Sequence, residues 1–175
     1  MPRTARILLE NVCYHIIARG NQKQEIFLEQ DDYEKFLKLL ARYKRKFHFK
    51  LYGYCLMTNH IHLIIEPEVP KELPKIMHRL NLAYAVWFNT KYEMVGHFWQ
   101  DRFKSMVIQK DEYLLTCINY VEFNPVRANF VKEPQNYLWS SYRSRVLGHK
   151  NFLLDTPKIT PGDTSPIDFR TVPAV

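Results

Sequence analysis

Two apolar runs, FHFKLYGYCLM from Phe47 and HIHLIIEP from His60, stand only Thr58-Asn59 apart. This spacing constrains the fold more than any other feature of the chain. Apolar stretches of strand length separated by two residues read as a β-hairpin with a tight turn. Both runs are apolar at nearly every position, which predicts central strands rather than edge strands.

The flanking sequence supplies what such a sheet needs. VCYHIIAR, Val12 to Arg19, is short and β-branched and is closed by Gly20-Asn21, so it predicts a strand followed by a turn. Asp31 and Glu34 form a capping pair ahead of Phe36, Leu37, Leu40, Tyr43 and Phe47. These apolar residues recur at helical spacing as far as the basic turn Lys44-Arg45-Lys46, whose charge suits a helix C-terminus. After Pro70, the residues Leu73, Ile76, Met77, Leu80, Ala83 and Trp87 keep the rhythm of an amphipathic helix that carries Lys75 and Arg79 outward. KSMVIQ from Lys104 predicts a fourth strand, and Asp111 opens a third helix with Leu114, Leu115, Ile118 and Val121 on its apolar face. Pro125 ends or kinks that helix. The order β-α-β-β-α-β-α is the split βαβ arrangement of a ferredoxin-like antiparallel sheet with one helix added, an α+β fold. No internal repeat is visible. From Gly148 onward Pro157, Pro161, Pro166 and Pro173 accompany Thr, Asp and Ser. The expected organisation is one domain, 1–147, followed by an irregular extension, 148–175, with little packing of its own.

The formal charge of +7 favours a polyanionic partner, either nucleic acid or an anionic membrane. No stretch approaches the roughly 20 apolar residues of a membrane span. The start, Met1-Pro2-Arg3-Thr4-Ala5-Arg6, has no apolar signal core, so a cytoplasmic protein is expected. Cys13, Cys55 and Cys117 are scattered, without a Cys-x-x-Cys pair, which argues against a disulfide framework and against a thiolate zinc site. They are expected to be reduced, mostly buried thiols.

Against this apolar background the two histidines in HIHLIIEP stand out. Side chains alternate across a strand, so His60, His62, Ile64 and Glu66 share one face, while Ile61, Leu63 and Ile65 share the other. Two imidazoles side by side can bind a divalent cation with a further ligand from elsewhere, or can be a hydrogen-bonded pair with no ion. On the third helix Tyr120 and Asn124 are four residues apart, a difference in direction of only ~40°, so both lie on the shoulder of the apolar face. A helix packed on the sheet by Leu114, Ile118 and Val121 would hold this phenol and amide over the sheet's polar spot. An amide oxygen suits a hard or borderline ion. By spacing alone Tyr120 reads sooner as a boundary tyrosine with an apolar body and a wet tip.

Four stretches in order carry a family resemblance: His60-Ile61-His62, HFWQDRFKS from His97, YLLTCINYVEFNPVRA from Tyr113, and WSSY from Trp139. Together they resemble the single-tyrosine HUH transposases of small bacterial insertion sequences, HUH standing for histidine, hydrophobic, histidine. The REP-associated tyrosine transposase branch is the nearest in character, and the resemblance spans Val12 to Leu147. It implies that Tyr120 is the catalytic nucleophile, carried on the third helix, and that His60 and His62 are metal ligands with Asn124 as the third. It further implies a divalent metal cofactor, Mg2+ or Mn2+, and single-stranded DNA, with a hairpin beside it, as substrate. The implied reaction cuts and rejoins strands by transesterification through a 5′-phosphotyrosine intermediate, possible at palindromic repeats, by a monomer or homodimer. Such exchange needs no ATP, and no Gly-x-x-x-x-Gly-Lys-Ser/Thr stretch is present. One departure is Thr58 before Asn59-His60, where the family more usually has proline.

Basic residues near these motifs are the expected DNA-backbone contacts: Arg19, Lys23, Arg102, Lys104 and Arg127, with Arg143 and Arg145 beyond WSSY. Trp99, Phe103 and Tyr142 interleave with them and would suit stacked bases, although Trp99 and Trp139 serve equally well as core. His15 and His97 are within possible reach of the site and are expected to be structural. Two other readings compete. A non-catalytic module that binds single-stranded nucleic acid would not need His60, His62, Tyr120 and Asn124 together, and the RNA-recognition signature is missing. A relaxase or replication initiator shares the chemistry but commonly places its tyrosine differently.

Overall fold

The computed structural model describes residues 8–108 and 112–157. Its elements run β1 Cys13–Arg19, α1 Gln30–Phe47, β2 Lys50–Met57, β3 His60–Glu66, α2 Leu73–Lys91, β4 Lys104–Ile108, α3 Glu112–Glu122, α4 Asn124–Arg127 and α5 Tyr142–Leu147. The four strands form one antiparallel sheet in the order β2-β3-β1-β4. The expected α+β architecture is therefore present. β3 and β1 are central, whereas β2 is an edge of the strand ladder. Among the described residues no helix is long and apolar enough to cross a membrane.

The alternation on β3 divides the molecule into two layers. Ile61, Leu63 and Ile65 join Tyr14, Ile16 and Leu56 in a core covered by α1 and α2, which contribute Phe36, Leu40, Ile76, Leu80, Tyr84 and Phe88. Ile64 faces the other way, into a smaller cluster with Cys13, Cys55, Met57, Leu114, Ile118, Tyr120 and Val121, so α3 packs on that face. Gly53 on β2 makes this contact close. A Cβ there would stand 3.1 Å from Ile118 Cγ2, tighter than ordinary packing. All three cysteines are free thiols; Cys13 and Cys55 are buried and Cys117 is half-buried.

Several local boundaries differ from the sequence expectation for identifiable reasons. The helix-opening pair of α1 is Glu29 with Asp32, not Asp31 with Glu34. Asp32 is fully buried and accepts from the Leu28 and Glu29 amides, Lys91 and Tyr92, a set of donors that only this register supplies. His48, in the left-handed conformation, ends α1, so β2 begins at Lys50 rather than in the Phe47 run. On α2 the buried stripe passes through Tyr84 and Phe88, leaving Ala83 and Trp87 half-buried beside it. Asp111, expected to open α3, lies outside the described residues.

The segment after Gly148 is irregular but packs more than expected as far as Asp155. Its amide donates to the Leu51 carbonyl, and its carboxylate accepts from the Leu51 amide and pairs with Lys44 at 2.7 Å. Asn151 donates to the Tyr54 hydroxyl. This segment covers the β2 edge, which would otherwise offer unpaired backbone groups. WSSY also lies against β2: Leu56 N donates to Trp139 O and Ser141 N to Tyr54 O, while Trp139 stacks on Tyr33 at 4.4 Å. Trp139 thus packs, half-buried, against the core.

Candidate active site

The ends of three strands meet at one rim of the sheet. Arg19 is registered opposite His60, Ile17 opposite His62, and Ile17 also opposite Lys104. The loop before β4 is pinned to the end of β1: Gln100 N donates to Arg19 O, and Asn21 N to Phe98 O. That attachment brings Asp101 and Arg102 to the same rim. α3 crosses above, and the result is a cleft of about 350 Å³ lined by His60, His62, Tyr120 and Asn124 together with Arg19, Arg102 and Lys104. Gln100, Asp101 and Ile17 complete the lining. Residues separated by half the chain in sequence converge there.

The histidines are locally organised. His60 Nδ1 lies 2.6 Å from Asn59 Oδ1, an acceptor whose amide nitrogen is committed to the Lys23 carbonyl. His60 must therefore donate through Nδ1, which leaves a lone pair on Nε2. His62 Nδ1 lies 2.9 Å from His15 Nε2, and the two rings stack with centroids 5.1 Å apart. The His60 and His62 centroids are 4.9 Å apart, and His62 Nε2 is buried with no hydrogen-bond partner. Thr58, at the position where proline was expected, has its carbonyl held by the Ile26 and Phe27 amides; proline retains that carbonyl, so the turn does not depend on the exchange.

Tyr120 and Asn124 owe their placement to Pro125. Proline has no amide hydrogen, so the Val121 carbonyl loses its helical partner and α3 stops at Glu122. Asn124 Nδ2 donates instead to Val121 O at 3.1 Å and to Tyr120 O at 3.3 Å, and Arg127 Nη2 donates to Tyr120 O at 2.6 Å. Asn124 thus turns its nitrogen to the helix carbonyls while the residue lines the cleft. Arg127 also lays its guanidinium 3.8 Å from the centre of the Tyr120 ring, a cation–π contact that fixes the ring's face. Tyr120 is only 8% exposed.

The basic residues divide into three groups. Arg19, Arg102 and Lys104 line the cleft; Arg127 stacks on Tyr120 outside the lining; Lys23 is exposed on the turn after β1 and does not reach the cleft. Arg145, expected to face DNA, is engaged with the fully buried Glu122 through Nε and Nη2, the latter at 2.6 Å, and also contacts Asn119. Ser141 Oγ donates to the same carboxylate at 2.6 Å. This network ties α5 to the helical turn that carries Tyr120. His97 is exposed and lies outside the cleft. Sharing Asp101 and Arg102 with the cleft is a second cavity of about 370 Å³ between α2 and the loop before β4. Its wall includes Trp99, Phe103 and Asn81, whose Oδ1 is buried without a partner. Asn81 gave no signal in the sequence because it interrupts an otherwise apolar helical stripe and reads as a tolerated polar core position.

The sequence of the chain also matches a known family. The family model described as Transposase IS200 like matches residues 9–124, a span that contains both histidines, Tyr120 and Asn124. The chain belongs to the IS200-like transposase family. Among relatives of this family member, a Haemophilus influenzae protein described as a REP-associated tyrosine transposase is 26% identical over 114 residues, 56% of this chain. The match spans 61% of that relative's length. The solved structure of a REP-associated tyrosine transposase bound to a REP hairpin has a TM-score of 0.70 at 17% identity, covering 94% of this chain and 96% of that one. It shares the fold described above.

Burial sets the protonation of the site. Desolvation lowers His15 to about 4; it also lowers His60 to about 4, with Arg19 adding to the effect. His62 is held well below its ordinary value, first by burial and then by His15, His60, Arg127 and Arg19. Unfolded imidazoles titrate near 6.5. Between about 6.5 and 4 the unfolded chain therefore binds more protons than the native chain, and stability falls as pH drops through that window. Guanidinium-chloride unfolding midpoints should decline steadily from pH 7 to pH 5, above the range where most carboxylates titrate. A flat profile there would contradict neutral, buried imidazoles.

Proposed function

We propose that this chain is a metal-dependent single-stranded DNA transposase that cuts and rejoins strands by tyrosine transesterification, acting at DNA hairpins such as palindromic repeats. The observation that carries the reading is the convergence of Tyr120, His60, His62 and Asn124 on one cleft rimmed by Arg19, Arg102 and Lys104. A binding module has no need of a nucleophile set among paired imidazoles in a basic groove. The hairpin-bound relative of the same fold supports the substrate class.

The residues present fit a divalent cation, Mg2+ or Mn2+. Among the described residues no three His, Cys, Asp or Glu side chains gather as a cluster, so the ion would rest on His60, His62 and an oxygen of another kind. Asn124 Oδ1 provides that oxygen, and the orphaned Nε2 of His62 is the donor without another use. When bound, the ion would polarise a non-bridging phosphate oxygen and offset the charge that builds there during attack.

The chain's own residues supply positioning. Arg19, Arg102 and Lys104 hold the strand's phosphates across the cleft. Arg127 and the Pro125 break fix the Tyr120 ring over the scissile phosphate. The Tyr120 oxygen attacks phosphorus, the bond to the 3′ oxygen breaks, and the phenol gives up one proton as the departing 3′-hydroxyl gains one. A 5′-phosphotyrosine link replaces a phosphodiester, so the step is close to energy-neutral and reverses when another 3′-hydroxyl attacks. The adjoining Trp99, Phe103 and Asn81 cavity suits an unpaired base of the same strand.

The test is a denaturing gel of the protein with Mg2+ or Mn2+ and labelled single-stranded oligonucleotides tiled from the DNA flanking its gene, with duplex controls. A slow, labelled protein band that requires metal and a single strand is expected. Binding without an adduct, under conditions where a related active enzyme reacts, would leave a non-catalytic DNA-binding protein. His62→Ala should lose cleavage and weaken Mn2+ binding by more than the roughly 10- to 100-fold that losing only a ligand's hydrogen-bond partner costs. Undiminished metal-supported cleavage by that variant would sink the ligand assignment.

A further inference from the structure

His15 has no part in the proposed chemistry, yet it is hydrogen-bonded to His62. It sits on β1 opposite Met106 of β4 and Ile64 of β3, 4% exposed, with its ring edge toward Tyr120 at 6.1 Å between centroids. A buried imidazole at that place costs desolvation, and an aliphatic residue would pack there more cheaply. Its Nε2 meets His62 Nδ1 at 2.9 Å, and one proton must lie between the two nitrogens.

Two arrangements are possible, and they differ at the far side of the His62 ring. If His15 donates, His62 Nδ1 is the acceptor, and its proton sits on Nε2 as a buried N–H with no partner. Orphaned buried N–H groups are rare and costly, more so than an under-used acceptor. If His62 donates through Nδ1, its Nε2 carries a lone pair, as His60 Nε2 does through the hydrogen bond to Asn59. Both imidazoles then offer the same nitrogen.

We infer that His15 is a positioning residue that accepts the Nδ1 proton of His62, fixing the tautomer and ring orientation in which His62 Nε2 can ligate a divalent cation. Metal-bound histidines are usually held this way by a carboxylate, a carbonyl or water. Here the acceptor is a second neutral imidazole, which holds the proton without placing a negative charge beside the phosphate that the cleft receives. His15 itself touches neither the ion nor the strand. The inference rests on the reading of His60 and His62 as metal ligands.

The test uses the full-length protein, with Mn2+ alone as probe, and does not depend on DNA cleavage. Long-range proton–nitrogen NMR of the 15N-labelled, metal-free protein reads the tautomer directly, and His62 is expected to be protonated on Nδ1. A His62 protonated on Nε2 in the wild type overturns the inference without any variant. His15→Phe keeps the ring bulk against Tyr120 and removes the acceptor. It should let His62 populate the Nε2-protonated form and weaken Mn2+ binding 10- to 100-fold, roughly the cost of losing such a partner. His15→Gln, whose amide oxygen can accept from His62, should recover most of the affinity and carries the test if the Phe variant folds poorly. If His15→Phe binds Mn2+ within about twofold of wild type while His62→Ala does not bind, the role of His15 is refuted and the metal site stands. If His62→Ala binds as wild type does, the metal-site reading fails, and the inference with it.

Discussion

Tyr120→Phe is expected to abolish covalent capture of DNA while leaving non-covalent binding in place. The exchange removes one oxygen. The ring remains under the Arg127 guanidinium, a contact to the π face that does not involve the hydroxyl, and Arg127 Nη2 still reaches the residue 120 carbonyl. The cleft cations Arg19, Arg102 and Lys104 are untouched. Affinity for a single-stranded oligonucleotide should therefore stay within a few-fold of wild type, while adduct formation drops by on the order of 10⁴-fold or more, as when other enzymes lose their nucleophile. Denaturing gels separate the two effects. A covalent band that persists in Tyr120→Phe would move the nucleophile elsewhere, and a parallel loss of binding would mean that the phenol oxygen holds the strand rather than attacks it.

Arg145→Ala is expected to destabilise the fold by about 3–5 kcal/mol, the cost of stranding one partner of a buried ion pair. Glu122 is fully buried, and Arg145 supplies most of its donors, with Ser141 adding one. Removing the guanidinium leaves the buried Glu122 side chain at the end of α3 without its main partner, next to the turn that carries Tyr120. For a domain of this size the melting temperature should fall by roughly 10 °C or more. Adding Glu122→Gln should restore part of the loss, because a neutral amide costs less to leave buried. Chemical denaturation of the two single variants and the double variant measures the coupling. If Arg145→Ala leaves stability unchanged and lowers only the salt-dependent affinity for DNA, the residue is a backbone contact after all.

The contrast between Arg145 and Arg102 shows how far local sequence reaches. Both follow an aromatic motif and both looked like phosphate contacts. Arg102 lies in a loop stapled to the end of β1 and lines the cleft, whereas Arg145 turns inward because Glu122, distant in sequence, is buried beneath it. Nothing in a basic side chain's own neighbourhood reveals whether a carboxylate waits on another element. The α1 cap followed the same logic. Asp31 and Glu34 have suitable spacing, but Asp32 won the role because Lys91 and Tyr92 on the far end of α2 complete its bonds. His15 is a further instance: a lone histidine on an apolar strand reads as core until the register places it against His62.

What the sequence determined by itself are the properties that depend on period and covalent chemistry. Alternation along HIHLIIEP put His60 and His62 on one face of β3, and Pro125, which has no amide hydrogen to donate, ended α3 at Glu122, so that Asn124 opens α4 instead of continuing the helix that carries Tyr120. Those rules act within a few residues of the chain. Only the tertiary structure decided that these two pairs meet in one cleft, that His62 keeps an unengaged Nε2 while His15 takes its other nitrogen, and that Asp155 closes the β2 edge. Each of those facts depends on strand register and on how closely α3 approaches the sheet over Gly53. These are contacts between residues far apart in the chain, and burial rather than local propensity sets their energies.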